Sequence, residues 1–372
     1  MTPEEAIARA KQRAEWSDFG AEGWKEGLDQ ALDAFARMPL NDESRGEAYE
    51  RIVTDLANRL SIERWYAEHP RVEAQQIDGP LFVIGLPRTG TTATIGMLAC
   101  DSRFRFLRGW EAREPVPPPI FGEEDNEPRA VEARQAARGR DQSRHISDPD
   151  GPEEDMATLA PLDMKGYYGA YPMPEDYIEW WMNADFAPTL AFHERTLKLL
   201  QSHCPPNLWL LKSPVHLFRL EQIAAQYPGA AFVWTHRDPA KIIPSVCSLQ
   251  YRLNTERCEP GVLNKLDYGP RMLRFWSQGM ARALTARARI GEDRFIDLWN
   301  DDIVSHPVRT LARLYGKLGF GFTDDLRVAI DDYAARNEKG AHGVHRYTPE
   351  EYGTTRDEIR WAFSDYIARF GL

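Results

Sequence analysis

Residues 81–92, Leu-Phe-Val-Ile-Gly-Leu-Pro-Arg-Thr-Gly-Thr-Thr, constrain the fold of this chain more than any other stretch. Leu81 to Ile84 form an apolar run of the length expected for a buried strand. Gly85 opens a loop, Gly90 closes it, and Thr91 and Thr92 start a helix continued by Ile95, Met97 and Leu98. Such a strand–loop–helix turn points backbone N–H groups at an anion, and the helix N-terminus adds partial positive charge. The spacing is that of a phosphate-binding P-loop, G-x-x-x-x-G-K-[ST], with Thr91 in the lysine position. The cation of the loop is Arg88 instead. A nucleoside triphosphatase needs that lysine on its β and γ phosphates and the next hydroxyl on Mg²⁺. The loop therefore reads as an anion site that is not built for Mg-ATP.

Three further apolar runs, at 208–212, 231–235 and 294–298, read as strands. Helical patterns separate them at about 185–203, 216–227, 239–253 and 269–290. Apolar strands alternating with helices predict an α/β fold of P-loop type, with three layers and a central parallel sheet. Ligands of such sheets bind beyond the C-terminal strand ends. Residues 1–79 read as a helical N-terminal extension, opened by Thr2, Pro3 and Glu5 as cap, first-turn proline and capping acid. Residues 80–372 read as the α/β domain. Within it, about 113–182 form an insertion over the active-site face, with prolines at 115 and 117–119, acids over 123–127 and a charged helix at about 128–144. Its stretch 167–181 is rich in tyrosine and tryptophan. These rings suit either an acceptor pocket or the packing of the insertion onto the sheet.

The formal net charge of −11 argues against a nucleic-acid or anionic-membrane partner. The four cysteines are scattered, which suits a reducing compartment. There is no apolar run of the ~18 residues that a transmembrane helix needs, and no leader-like apolar core at the N-terminus. A cytoplasmic protein is expected.

The second constellation is Val233-Trp234-Thr235-His236-Arg237-Asp238-Pro239, followed by Lys241 and Ser245. A buried strand ends, Arg237 stands at its edge, and a helix begins near Pro239. An arginine here can fork onto a phosphate, and the Ser245 hydroxyl can add a bond. The alternative is a structural ion pair between Arg237 and Asp238. A strand that held Mg²⁺ would end in a carboxylate, and this one does not. Together the two constellations suit a nucleotide that is anionic at two places, the charge layout of 3′-phosphoadenosine 5′-phosphosulfate (PAPS).

Pro87-Arg88-Thr89-Gly90-Thr91-Thr92 resembles the 5′-phosphosulfate loop of PAPS-dependent sulfotransferases. His236-Arg237-Asp238-Pro239 with Ser245 resembles their 3′-phosphate motif. Trp110-Glu111, Gly151-Pro152-Glu153-Glu154-Asp155, the run Leu211 to Leu217, and the tail from His345-Arg346-Tyr347 to Phe370 resemble the bacterial branch. The resemblance covers about 80–372. It implies sulfuryl transfer from PAPS, without a metal, to a hydroxyl or amine of a small-molecule, carbohydrate or lipid acceptor. It implies that Arg88 and the N–H groups of Thr89, Gly90, Thr91 and Thr92 hold the 5′-phosphosulfate, and that Arg237 and Ser245 hold the 3′-phosphate. Two features depart from cytosolic members. Ala93 stands where they often place an adenine-stacking tryptophan, and their late glycine-rich segment is echoed only by Lys339-Gly340.

In-line transfer to sulfur needs a base near the attacking oxygen. Glu111 follows the loop helix at a distance similar to the catalytic glutamate of tyrosylprotein and carbohydrate sulfotransferases. Its alternative is an ion pair with Arg108 or Arg113. His216, 21 residues before Arg237, lies close to where cytosolic members keep a catalytic histidine after a lysine; Lys212 precedes it here. Glu153, Glu154 and Asp155 are a third possibility. His145, His193 and His306 read as ordinary histidines, and no spacing predicts a metal. A Mg-ATP-dependent kinase or NTPase of the same fold, or a non-catalytic nucleotide-binding protein, are the alternative functions.

Overall fold

Four apolar strands that must each bury both faces can do so only in a sheet covered by helices on either side. In the computed structural model, which describes residues 1–138, 148–205, 207–337 and 347–372, they form an all-parallel sheet with one further strand. The strands are β1 (Leu81–Ile84), β2 (Phe104–Phe106), β3 (Leu208–Lys212), β4 (Ala231–His236) and β5 (Phe295–Trp299). Their order is β2-β3-β1-β4-β5. The expected α/β fold is the observed one. β2 was not expected: three residues, Phe104-Arg105-Phe106, carry too little pattern, and pairing with Leu208, Trp209 and Leu210 makes the strand.

Alternate residues of each strand face opposite layers. Phe82, Ile84, Trp209, Leu211, Phe232, Trp234 and Phe295 face one buried cluster. Leu81, Val83, Leu210, Val233, Ile296 and Leu298 face the other. The N-terminal helices α1 (Pro3–Ala14), α2 (Trp24–Arg37) and α3 (Asp42–Glu68) add their apolar faces to the first cluster. The reciprocal cap of Thr2 and Glu5 opens α1 as its sequence predicts. Arg59 of α3 is fully buried and donates to the carbonyls of Phe19, Ala21 and Leu162 and to Asp163 Oδ1 at 3.0 Å.

The aromatic stretch 167–181 is mostly packed, and Tyr167, Tyr171 and Ile178 also border a small cavity of about 20 Å³. Tyr167 stacks on Phe275 at 4.9 Å, Trp181 meets Phe186 and Phe218, and Tyr168 meets Phe35. Of the charged helix expected at about 128–144, Pro128–Arg138 is helical and 139–144 lie outside the described residues. His145, Lys339, Gly340, His345 and Arg346 lie outside the described residues. The helix expected at 216–227 begins as a 3-10 turn, Pro214–Phe218, before the helix Leu220–Gln226.

Candidate active site

β1 delivers the chain at the C-terminal edge of the sheet, where the loop 85–90 turns into the helix α4 (Thr91–Leu98). Gly85 has φ of 142°, and a Cβ there would lie 2.6 Å from the Thr235 carbonyl oxygen, so only glycine fits between β1 and β4. Gly90, at φ 97°, caps α4. Arg88 is exposed and sits at φ 67°, a conformation that costs a non-glycine residue of order 1–3 kcal/mol. Thr89 is buried. Its hydroxyl donates to the Leu86 carbonyl at 2.7 Å and lies 2.6 Å from the Thr235 hydroxyl. Thr89 thus braces the loop with its side chain and has only its N–H to offer a ligand.

β4 brings the second cation to the same place. Arg237 Nη1 donates to the Arg88 carbonyl at 2.9 Å, tying the two constellations together. The ion pair with Asp238 is not made: Asp238 caps the Pro239–Thr255 helix through Ala240 N and pairs with Arg360. Burial, and then the neighbouring charge of Arg88, push the Arg237 guanidinium below its ordinary value. Among the described residues no carboxylate is ion-paired to Arg88 or Arg237. Ser245 is half-buried on the Pro239–Thr255 helix, one turn before Leu249, which walls the cleft.

The cleft over these groups encloses about 680 Å³, a volume suited to a small-molecule ligand. Arg88, Gly90, Thr91, Thr92 and Arg237 line it on the sheet side. Asn300, just after β5, donates Nδ2 to the Thr89 carbonyl at 3.0 Å. Its Oδ1 is buried without a hydrogen-bond partner, an acceptor left over in the cleft wall.

The end of β3 supplies Lys212, which holds an acid from the 151–155 segment at the cleft. Lys212 Nζ is 2.8 Å from Glu154 Oε1, and Glu154 and Pro214 line the cleft. Glu154 belongs to the acidic run that the sequence left as a third possibility; its pairing with a lysine 58 residues away has no local signal. Next to it Asp155 is fully buried. One oxygen, Oδ2, accepts from His216 Nε2 at 2.8 Å and from His193 Nε2 at 3.1 Å, while His193 Nδ1 meets the Tyr227 hydroxyl at 2.7 Å. Burial works to raise the Asp155 carboxyl, but the charge and hydrogen bonds of His216 and His193 outweigh it and hold the group well below the usual carboxylate range.

The two residues expected to act as base are not brought into the cleft wall. Glu111 is fully buried and bonded to Arg105 Nη2 at 3.1 Å and to the Arg108 backbone N–H at 3.2 Å, with Arg108 Nη1 at 3.6 Å. It is the buried partner of two arginines, close to its alternative reading, with Arg105 where Arg113 was named. His216 is also fully buried, committed to Asp155 through Nε2, with Nδ1 unpartnered. His193 is a core residue, and His306 is exposed. No group of three or more His, Cys, Asp or Glu suited to a metal occurs among the described residues, and no helix of them is long and apolar enough to cross a membrane.

The chain is similar to the omega-hydroxy-beta-dihydromenaquinone-9 sulfotransferase Stf3 of Mycobacterium bovis and of Mycobacterium tuberculosis, each 27% identical over 280 residues, 69% of this chain and 68% of the relative. Its fold matches the crystal structure of sulfotransferase STF9 from Mycobacterium avium with a TM-score of 0.92, at 27% identity, covering 100% of this chain and 97% of that one. It matches STF1 from Mycobacterium tuberculosis with a TM-score of 0.85, at 27% identity, covering 98% and 99%. A family model for the sulfotransferase family matches residues 80–324, from the residue before β1 to the start of the Asp324–Arg336 helix. The chain belongs to the sulfotransferase family.

Proposed function

We propose that this chain transfers a sulfuryl group from PAPS to a hydroxyl or amine of a small-molecule or lipid-like acceptor. The observation that carries the reading is the convergence of Arg88 and Arg237 in one cleft, each without a carboxylate partner among the described residues. Two guanidiniums at the ends of adjacent strands, neither ion-paired to a carboxylate among the described residues, fit a ligand with two separate anionic groups better than one triphosphate on Mg²⁺. The lipid-like acceptor is supported by the relative Stf3, whose name gives an ω-hydroxylated menaquinone as its acceptor.

In this reading the N–H groups of residues 89–92 and Arg88 hold the 5′-phosphosulfate, and Arg237 with Ser245 holds the 3′-phosphate. The acceptor oxygen attacks sulfur, and the bond from sulfur to the 5′-phosphate oxygen breaks. Arg88 and the loop N–H groups meet the charge that develops on that oxygen, the preorganised stabilisation that costs no reorganisation during the step. The acceptor's proton passes to Glu154, the acid that walls the cleft beside Lys212. Glu111 and His216 stay committed to buried partners and support the site from behind.

Incubation with ³⁵S-labelled PAPS and a panel of primary alcohols, phenols and amines tests this, with γ-³²P-labelled Mg-ATP in parallel. Label from PAPS is expected in an acceptor without magnesium, and only in trace with Glu154→Gln. Transfer of ³²P with none of ³⁵S would contradict the reading and restore the kinase alternative.

A further inference from the structure

Successive residues of an extended strand point to opposite sides, so at the end of β4 the direction of Arg237 depends on how its neighbour His236 is held. His236 is fully buried. A carboxylate can only accept, so Nε2 donates to Asp297 Oδ1 of β5, at 2.8 Å, and Arg287 holds both oxygens of that carboxylate at 2.6 and 2.8 Å. Burial outweighs Asp297 and holds the imidazole below its ordinary value, so the ring is neutral and its Nδ1 accepts from the Tyr366 hydroxyl at 3.0 Å. Tyr366 belongs to the C-terminal helix Ser364–Phe370. From the same helix the Phe370 ring stacks on the imidazole, with centroids 3.9 Å apart and planes 22° from parallel. The residue on the other side of Arg237 is held from the tail too. Arg360 donates to Asp238 Oδ1 at 3.3 Å and to the Leu372 carbonyl at 3.1 Å. Arg360, Tyr366 and Phe370 all stand behind the cleft rather than in its wall.

We propose that Tyr366 and Phe370 are positioning residues for Arg237: by fixing His236 they aim the neighbouring guanidinium at the 3′-phosphate, so that recognition of this phosphate depends on the last helix of the chain. This rests on the PAPS reading above. The two anion sites then differ in how they are held. The 5′ loop is braced within its own turn, by the Thr89 hydroxyl on the Leu86 carbonyl at 2.7 Å. The 3′ site is braced by a side chain 130 residues further along the sequence.

The test compares two ligands by titration calorimetry: 3′-phosphoadenosine 5′-phosphate, and adenosine 5′-phosphate, which lacks the 3′ anion. Wild type is expected to prefer the bisphosphate. Tyr366→Phe removes the hydroxyl and keeps the ring; Phe370→Leu removes the stacked ring. Losing a charged hydrogen-bonding group outright weakens binding about 10- to 100-fold, so each variant, which misdirects Arg237 without removing it, is expected to weaken the bisphosphate about 5- to 10-fold. Affinity for adenosine 5′-phosphate should stay at the wild-type value. A partly unfolded variant would lose apparent affinity for both ligands by the same factor, so the preference between them reports positioning alone. In an Arg237→Ala background Tyr366→Phe should change that preference no further, because the group it aims is gone. A wild-type preference in both single variants would overturn the proposal and mark the tail as a support of the fold. A preference that still falls in the Arg237→Ala background would overturn it too. Wild type with no preference for the bisphosphate would sink the PAPS reading itself, an outcome distinct from either of these.

Discussion

Three clusters of charge lie on this sheet, two buried and paired and the third organised in the opposite way. Around Glu111, Arg105 and Arg108 surround a fully buried carboxylate; around Asp155, two histidines share one oxygen. Each carboxylate there is held by two basic side chains. In the cleft, Arg88 and Arg237 lie side by side, joined through a backbone carbonyl, and burial, then the neighbouring positive charge, pushes Arg237 down. Compensated buried charge holds a fold together, whereas uncompensated charge at an accessible edge is a demand for a ligand. On the proposed function, the first two clusters serve structure and the cleft serves chemistry.

The largest expected effect tests the structural side. Glu111→Ala leaves two arginines facing an empty carboxylate site, and removing one partner of a buried pair costs about 3–5 kcal/mol. Chemical denaturation should record that loss; a change below 1 kcal/mol would mean that Glu111 is not structural. Next comes the cleft. Arg88→Ala should lower turnover about 10²- to 10³-fold, the range for losing one preorganised donor to developing charge. Because Arg88 is exposed, its melting temperature should stay close to that of wild type. Equal turnover would remove Arg88 from the mechanism. Arg237→Ala should weaken 3′-phosphoadenosine 5′-phosphate by about 10- to 100-fold, as expected for hydrogen bonds to a charged group at ~1.5–3 kcal/mol; calorimetry giving wild-type affinity would break the two-anion account.

A pH titration sharpens the comparison. The Asp155 carboxyl is depressed in the folded state, so its contribution is present above the unfolded value of about 3.9 and is lost as pH falls through the folded one. The stability gap between wild type and Asp155→Asn should therefore be full at neutral pH and shrink progressively below about pH 4. A gap that did not change with pH would mean that the carboxylate charge contributes nothing. The smallest effect belongs to an exposed pair, Arg289 with Glu221 at 2.8 Å. Arg289→Ala should move stability by less than about 1 kcal/mol.

The loop and four strands were legible because their signals are local: an apolar run, two glycines at fixed spacing, and an arginine after a strand. Arg237 was legible only as a choice between an anion and its sequence neighbour Asp238; the Arg88 carbonyl and the Arg360 side chain, which take up the two partners, leave the Asp238 pair unmade. Glu111 and His216 stand at informative distances from the motifs, but spacing does not say which way a side chain faces. The helix start at Gly109 turns Glu111 back onto Arg108, and Asp155 holds His216 in the core. Glu154 with Lys212, Asn300 with Thr89, and Tyr333 with Gly96 are pairs that only the assembled sheet and its helices bring together.

The central claim is that the two uncompensated arginines serve a nucleotide with separate 5′ and 3′ anions and no magnesium. Thermal denaturation with 3′-phosphoadenosine 5′-phosphate in the presence of a chelator, against Mg-ATP in parallel, tests it most directly. A ligand at 100 times its dissociation constant stabilises the fold by about 2.7 kcal/mol, and the account predicts that rise for the bisphosphate alone. A rise with Mg-ATP and none with the bisphosphate would contradict it.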